Sequence, residues 1–332
     1  MEKIVILANF GGPRCEKELT PFLIELLTDP DVIQTSLPSF LQKWLFTRVA
    51  KKRAKIMKEE YQKMGGRSPL FQDTNRLAFL LQETLGIEVV AFHRYLPATH
   101  LDFFAKIERK NPATVQVLPL FPQFSYSTTG SIARLFSKKF STNIQEKLAW
   151  IPSYATHPGY IQAEVNLIQS FLEEHNLSCK DTFLLFSCHG LPKEYVEQGD
   201  PYESQCLSSF EEIMRFFPEF SGTVSYQSQF GKKEWLRPYT EDFCKNPSSY
   251  LKGQKNVVVI PLSFTSDHLE TLVEIEEQYI PLLKKQHLFA YRCPALNFSK
   301  TWIKTLPLLL QDGLFEKNET LIRKKKSWAY QN

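Results

Sequence analysis

Phe183-Leu184-Leu185-Phe186-Ser187-Cys188-His189-Gly190-Leu191-Pro192 opens on four large apolar residues and closes on a polar cluster, a histidine, a glycine and a proline. A run this short, cut off by turn formers, reads as a buried β-strand with an imidazole just past its end. Five further runs read the same way: residues 4–8, 88–92, 114–118, 222–225 and 256–260. Longer amphipathic stretches lie between them, for example 20–27, 74–85, 160–175 and 201–217, and these read as helices. Strand and helix in alternation predict an α/β protein with a parallel sheet flanked by helices. Ligands of such sheets bind beyond the carboxyl ends of the strands, so the loops after strands are where chemistry is expected. Val115-Gln116-Val117-Leu118-Pro119-Leu120 is echoed by Val257-Val258-Val259-Ile260-Pro261-Leu262. The echo suggests two similar halves facing a shared cleft, although apolar strands ending in proline are common.

Composition narrows the class. A chain of 332 residues has room for two domains. Forty Lys and Arg against 36 Asp and Glu leave a net charge of +4, too mild and too scattered for a nucleic-acid surface. The six cysteines, Cys15, Cys179, Cys188, Cys206, Cys244 and Cys293, form no Cys-x-x-Cys pair. They outline neither a disulfide framework nor a zinc or iron–sulfur site, and a reducing cytoplasm is expected. The start of the chain lacks the basic residues and long apolar run of a signal peptide, and no stretch approaches a spanning helix. Gly-x-Gly-x-x-Gly and Walker A sequences are absent, which argues against a dinucleotide or P-loop enzyme.

Four segments carry candidate chemistry. His189 sits at the functional edge of the sheet, where imidazole can ligate ferrous iron or accept a proton; a satisfied strand-end histidine is the plainer reading. Cys188 and His189 do not make a hydrolase pair, because successive residues of an extended segment point to opposite faces. In the segment 261–277, Asp267, Glu270, Glu274 and Glu277 recur at helical spacing and form an acidic stripe that could pass iron or protons. The alternative is a capping box of Asp267 and Glu270 followed by a solvated face. Residues 120–131 offer many hydroxyls and a helix start that could hold an anion, or serve only as a cap. Residues 34–58 combine aromatic and apolar residues with Lys51, Lys52, Arg53, Lys55 and Lys58, the pattern of a peripheral membrane contact, or of a buried helix running into a solvated one.

These segments together resemble the ferrochelatase family. The resemblance is carried by Ser187-Cys188-His189-Gly190-Leu191-Pro192 with Gly199-Asp200-Pro201-Tyr202, and by Phe264-Thr265-Ser266-Asp267-His268-Leu269-Glu270-Thr271-Leu272. Further matches run along the chain: Leu7-Ala8-Asn9-Phe10-Gly11-Gly12-Pro13, Gly65-Gly66-Arg67-Ser68-Pro69-Leu70, Pro122-Gln123-Phe124-Ser125, Gln227-Ser228-Gln229-Phe230-Gly231 and Arg292-Cys293-Pro294-Ala295-Leu296-Asn297. The resemblance implies two similar Rossmann-like domains around a porphyrin cleft. Residues 1–160 plus 310–332, with a C-terminal helix returning, would form one domain, and residues 161–309 the other. It implies insertion of Fe2+ into protoporphyrin IX, the terminal step of haem biosynthesis, with release of two protons. A chelatase for coproporphyrin III or another tetrapyrrole, and a haem carrier without catalysis, are the alternatives.

By the same resemblance His189 and Glu270 are the iron ligands, expected from opposite halves and facing each other over the cleft. Asp267, His268 and Glu274 would line it with acid and base groups; Phe10, Arg94, Tyr95, Ser127 and Phe264 would border the macrocycle. Iron is a substrate in this reading, and no permanently bound cofactor is expected. Family members with an iron–sulfur cluster carry a cysteine-rich C-terminal extension, and this sequence has no cysteine after Cys293. Expected partners are the porphyrin, ferrous iron, the inner face of a membrane and the enzyme that supplies the porphyrin. Cys188 stands where the family usually has Ala.

Overall fold

The computed structural model describes residues 2–35, 37–231 and 233–323. Eight strands form two four-stranded sheets, each wholly parallel. The first holds β1 (Lys3–Asn9), β2 (Glu88–His93), β3 (Thr114–Pro119) and β4 (Leu148–Trp150) in the order β2-β1-β3-β4. The second holds β5 (Thr182–His189), β6 (Ser221–Gln227), β7 (Asn256–Ile260) and β8 (Phe289–Arg292) in the order β6-β5-β7-β8. The two orders are the same. The echoed sequences are β3 and β7, which take equivalent places in their sheets. Each sheet reverses direction of growth beside its first strand, and that switch point opens a crevice at the carboxyl ends. Asn9, Phe10 and Leu120 lie there in the first sheet; His189, Leu262 and Ser263 lie there in the second.

The apolar strand faces explain the assembly. Val5, Leu7 and Leu118 of the first sheet and Leu184, Phe186, Val258 and Ile260 of the second belong to one continuous core. The Leu70–Leu85, Pro158–Glu174 and Lys300–Asp312 helices fill the space between. The opposite faces are covered separately, by Phe103, Phe136 and Trp150 on the first sheet and by Phe243, Ile275 and Leu283 on the second. β4 and β8 are edge strands of three and four residues, too short to stand out in the sequence. The expected domain boundary at residue 160 falls inside the Pro158–Glu174 helix, whose buried side chains contribute to the shared core.

The C-terminal helix meets the first half through the Leu70–Leu85 helix. The helix is Lys300–Asp312, and it packs on the Pro158–Glu174 and Leu70–Leu85 helices. Beyond it the chain does reach the first sheet, but as an extended bridge from Glu316 to Trp150 and a single turn, Asn318–Leu321. Asn318 Nδ2 donates to Ala133 O, and Leu321 enters the first sheet's outer core. Residues 324–332 of the expected range lie outside the described residues. Among the described residues no helix is long and apolar enough to cross a membrane.

A carboxyl is buried beside the shared core. Glu164 is 3% exposed, and Tyr154, Tyr160 and Trp302 form a mutually contacting aromatic group beside it. Burial pushes its carboxyl up to about 8, and the neighbouring Tyr160 hydroxyl pulls it down less strongly. It is therefore neutral in the folded protein where it is ionised in the unfolded chain, a window running from about 4.5 to about 8. Stability is lost as pH rises through that window. Glu164→Gln, which never ionises, is expected to gain on the order of 3 kcal/mol at pH 7 and much less at pH 5. Urea unfolding at the two pH values checks this; an equal difference at both would show that the carboxyl is not held neutral.

Candidate active site

A cavity of about 580 Å³ opens where the carboxyl ends of both sheets meet, within the range that holds a large organic ligand. Its first-half wall carries Phe10, Leu26, Tyr61 and Phe121; its second-half wall carries His189, Leu191, Trp235, Phe264, Glu270 and Glu274. Phe10 is set by the loop after β1. Its N–H donates to Asn9 Oδ1, its carbonyl accepts from Tyr95 N, and its ring packs on those of Tyr95 and Phe121.

His189 ends β5. Its N–H donates to Ser263 Oγ in the loop after β7, which ties the two central strand ends together. Its Nδ1 lies 2.6 Å from Gly190 O. A carbonyl only accepts, so Nδ1 carries a proton and Nε2 is the nitrogen turned to the cavity. Nε2 is 3.6 Å from Glu270 Oε1, and the other oxygen of Glu270 is 3.4 Å from His268 Nε2. His268 Nδ1 is held by Ser266 O, which turns its Nε2 to Glu270 in the same way. Burial raises the Glu270 carboxyl, but the charge of His189 and the hydrogen bond of His268 outweigh it, and it falls to about 2. Burial lowers the His268 imidazole, and Glu270 more than restores it, so the net direction is upward. Glu270 is thus an anion between two imidazoles.

Both members of this pair come from the second half, His189 from the end of β5 and Glu270 from the helical segment that follows β7. The expectation that they face each other from opposite halves is corrected: the first half supplies the apolar wall opposite them. The segment Glu270–Tyr279 is wound as a π-helix, the rare, wide i→i+5 turn that is frequent at functional sites. In this register Glu270, Glu274 and Gln278 line the cavity, while Thr271, Ile275 and Tyr279 are buried behind it. Glu277 leaves the expected stripe and pairs with Lys63 outside. Glu274 is fully engaged, accepting from Ser228 N at 2.9 Å, Ser228 Oγ at 2.5 Å, Gln227 Nε2 at 3.2 Å and Tyr279 OH at 2.5 Å.

The structure therefore brings His189, Glu270, His268, Glu274, Phe10, Phe264 and Ser127 to one cavity. It does not bring Asp267, Arg94 or Tyr95 there. Asp267 accepts from Arg292 Nη1, Asn297 Nδ2 and Thr271 Oγ1, anchoring the start of the π-helix from outside the cavity. Arg94 and Tyr95 are buried behind Phe10 on Asp29. The helix start at Ser125 is also already filled: Ser125 Oγ and Tyr126 N donate to the carboxylate of Asp200 from the second half. Cys188 points into the shared core, where burial pushes its thiol up, the state of an inert structural cysteine. Sequence reading missed Tyr61, Trp235, Ser228 and Gln227; the unusual backbone of Ser228, with φ 63°, is invisible in its residue type.

Fold and site define a two-sheet chelatase-type α/β protein. The solved structure described as CbiX, the terminal enzyme of sirohaem biosynthesis in denitrifying bacteria, superimposes with a TM-score of 0.51 at 13% identity, covering 95% of this chain and all of that one. SirB from Bacillus subtilis with Fe3+ gives 0.57 at 9% identity, covering 94% of this chain and 95% of that one. At these identities the likeness is one of fold. The family model described as Ferrochelatase matches residues 2–314. Curated ferrochelatases of Chlamydia abortus and Chlamydia pneumoniae are each 41% identical to this chain, covering 97% of it and 100% and 96% of their own lengths. The chain belongs to the ferrochelatase family.

Proposed function

We propose that this chain is the enzyme that inserts Fe2+ into a porphyrin, with protoporphyrin IX as the preferred substrate and haem as the product. The observation that carries the reading is the His189–Glu270 pair set into the wall of a mostly apolar cavity large enough for a tetrapyrrole. The two inner N–H groups of a free porphyrin must lose their protons, and a lone pair must tilt out of the ring plane before iron enters. A cleft that fits the bent macrocycle better than the flat one lowers that barrier. His189 Nε2, in the neutral form of the imidazole, takes a pyrrole proton or holds the metal; Glu270 stays anionic to share the ion and to stabilise the imidazolium that forms. Imidazole and carboxylate together suit a divalent first-row ion that must be bound and then released. Iron replaces two protons, so no oxidant or resident cofactor enters the balance.

Anaerobic incubation with Fe2+ and protoporphyrin IX or coproporphyrin III tests the reading. Multiple turnovers, faster with protoporphyrin, are expected. Binding without turnover would make the chain a carrier, and turnover with cobalt or nickel but not iron would make it another chelatase.

The Ser39–Lys63 helix supports peripheral membrane contact as part of this reading. Phe40 and Trp44 are 71% and 55% exposed, and Arg48 lies over the Trp44 ring at 3.9 Å. Cations continue down the helix to Arg53, which lines the cavity mouth. Flotation with anionic liposomes at low salt should carry the protein upward, and Phe40→Ser with Trp44→Ser should leave it at the bottom; wild-type protein that stays down under the same conditions removes the idea. Ser36, within the segment first singled out, lies outside the described residues.

A further inference from the structure

Behind the cavity wall, Gln227 reaches both members of the proposed catalytic pair, His189 through Gly190 and Glu270 at its backbone carbonyl, without lining the cavity itself. It is the last residue of β6 and is 1% exposed. Its carbonyl accepts from Gly190 N at 2.8 Å, and Gly190 O is the partner of His189 Nδ1. A Cβ on Gly190 would sit 2.7 Å from that same Gln227 oxygen, so the glycine is what allows the approach. The side chain works on the other member. Nε2 donates to Glu270 O at 3.1 Å and to Glu274 Oε2 at 3.2 Å, while Oε1 accepts from Ser187 Oγ at 2.7 Å. Only this orientation of the amide is stable, because the reverse would set its oxygen against a carbonyl and a carboxylate. Ser187 is fixed in turn by Thr240, which also meets Ser225, so the amide is held from a chain of buried hydroxyls.

We propose that Gln227 is a positioning residue for metal insertion: its main chain sets the imidazole of His189 and its amide sets the first turn of the π-helix that carries Glu270 and Glu274. The inference rests on the function proposed above. Partners of this kind around metal ligands are worth about 10–100-fold in activity or metal affinity.

Gln227→Met keeps the volume and removes the amide. Its kcat for Fe2+ insertion is expected to fall by about 10–100-fold, its KM for Fe2+ to rise, and its porphyrin affinity, read by fluorescence quenching, to stay at the wild-type value. Ser187→Ala is the milder variant, removing only the bond that orients the amide, and should move kcat and the KM for Fe2+ the same way by less. A purely structural residue would lower the melting temperature or the yield without splitting kcat from porphyrin binding. Wild-type kcat in both folded variants overturns the proposal, and Ser187→Ala decides alone if Gln227→Met does not fold. Absence of insertion by the wild-type protein is a different result, because it defeats the functional reading and not the placement of Gln227.

Discussion

His189→Ala is expected to lower iron insertion by about 10²–10⁴-fold, the range for removing a positioned acid–base group, while porphyrin binding stays near normal. The geometry gives the reason. His189 is the cavity imidazole whose Nδ1 is committed to a carbonyl, which leaves Nε2 basic and facing the ligand space. His268 does not replace it, since its side chain is 16% exposed against 40% for His189. Removing His189 also takes away the imidazole that lies 3.6 Å from Glu270 Oε1, so the pair is reduced to a carboxylate alone. Folding is not at stake, because the His189 side chain is 40% exposed and its ring lies 6.3 Å from that of Phe264 at a steep angle. Porphyrin titration by fluorescence followed by anaerobic turnover separates the effects. Near-normal turnover in the alanine variant would remove His189 from the chemistry.

The fold was legible in the sequence because parallel strands buried by helices are short, apolar and cut by turn residues, and six of the eight announce themselves that way. β4 and β8 were not legible, since three or four residues at a sheet edge carry no period. His189 was legible for the same reason as its strand: a polar residue directly after a buried run must sit at the carboxyl edge. Glu270 and Glu274 were legible as helical neighbours, but the π register was not, because nothing in residue type specifies an i→i+5 turn. That is why Glu277 was placed on the stripe and found outside it. Asp267 was misplaced for a different cause. Its partners Arg292 and Asn297 come from β8 and the loop after it, and a distant partner turns a candidate lining carboxylate into an anchor. Gln227 stood in a matched segment but with no role, since an amide becomes a clamp only through what three other segments bring to it.

Arg94 shows how a buried partner decides between two roles, and the two roles predict different losses. As a residue bordering the macrocycle, it would hold a propionate, and its removal would raise the KM for porphyrin with little change in stability. The structure instead seats its Nη2 at 2.6 Å from Asp29 Oδ2 and its Nε at 2.8 Å from Ser131 Oγ. The two ionic side chains are 9% and 1% exposed. Asp29 Oδ2 also receives Tyr95 OH at 3.1 Å and Ser131 Oγ at 2.5 Å, so the carboxylate is the hub on which the loop behind Phe10 is built. Breaking a buried pair by removing one member leaves the other charged and unpaired, at a cost of about 3–5 kcal/mol. Arg94→Met is therefore expected to lose that amount of unfolding free energy, read as a lower urea midpoint, while its folded fraction, assayed well below the melting temperature, keeps the wild-type KM for porphyrin. A raised KM at unchanged stability would put the guanidinium back at the macrocycle and would require the Asp29 pair to open when porphyrin binds.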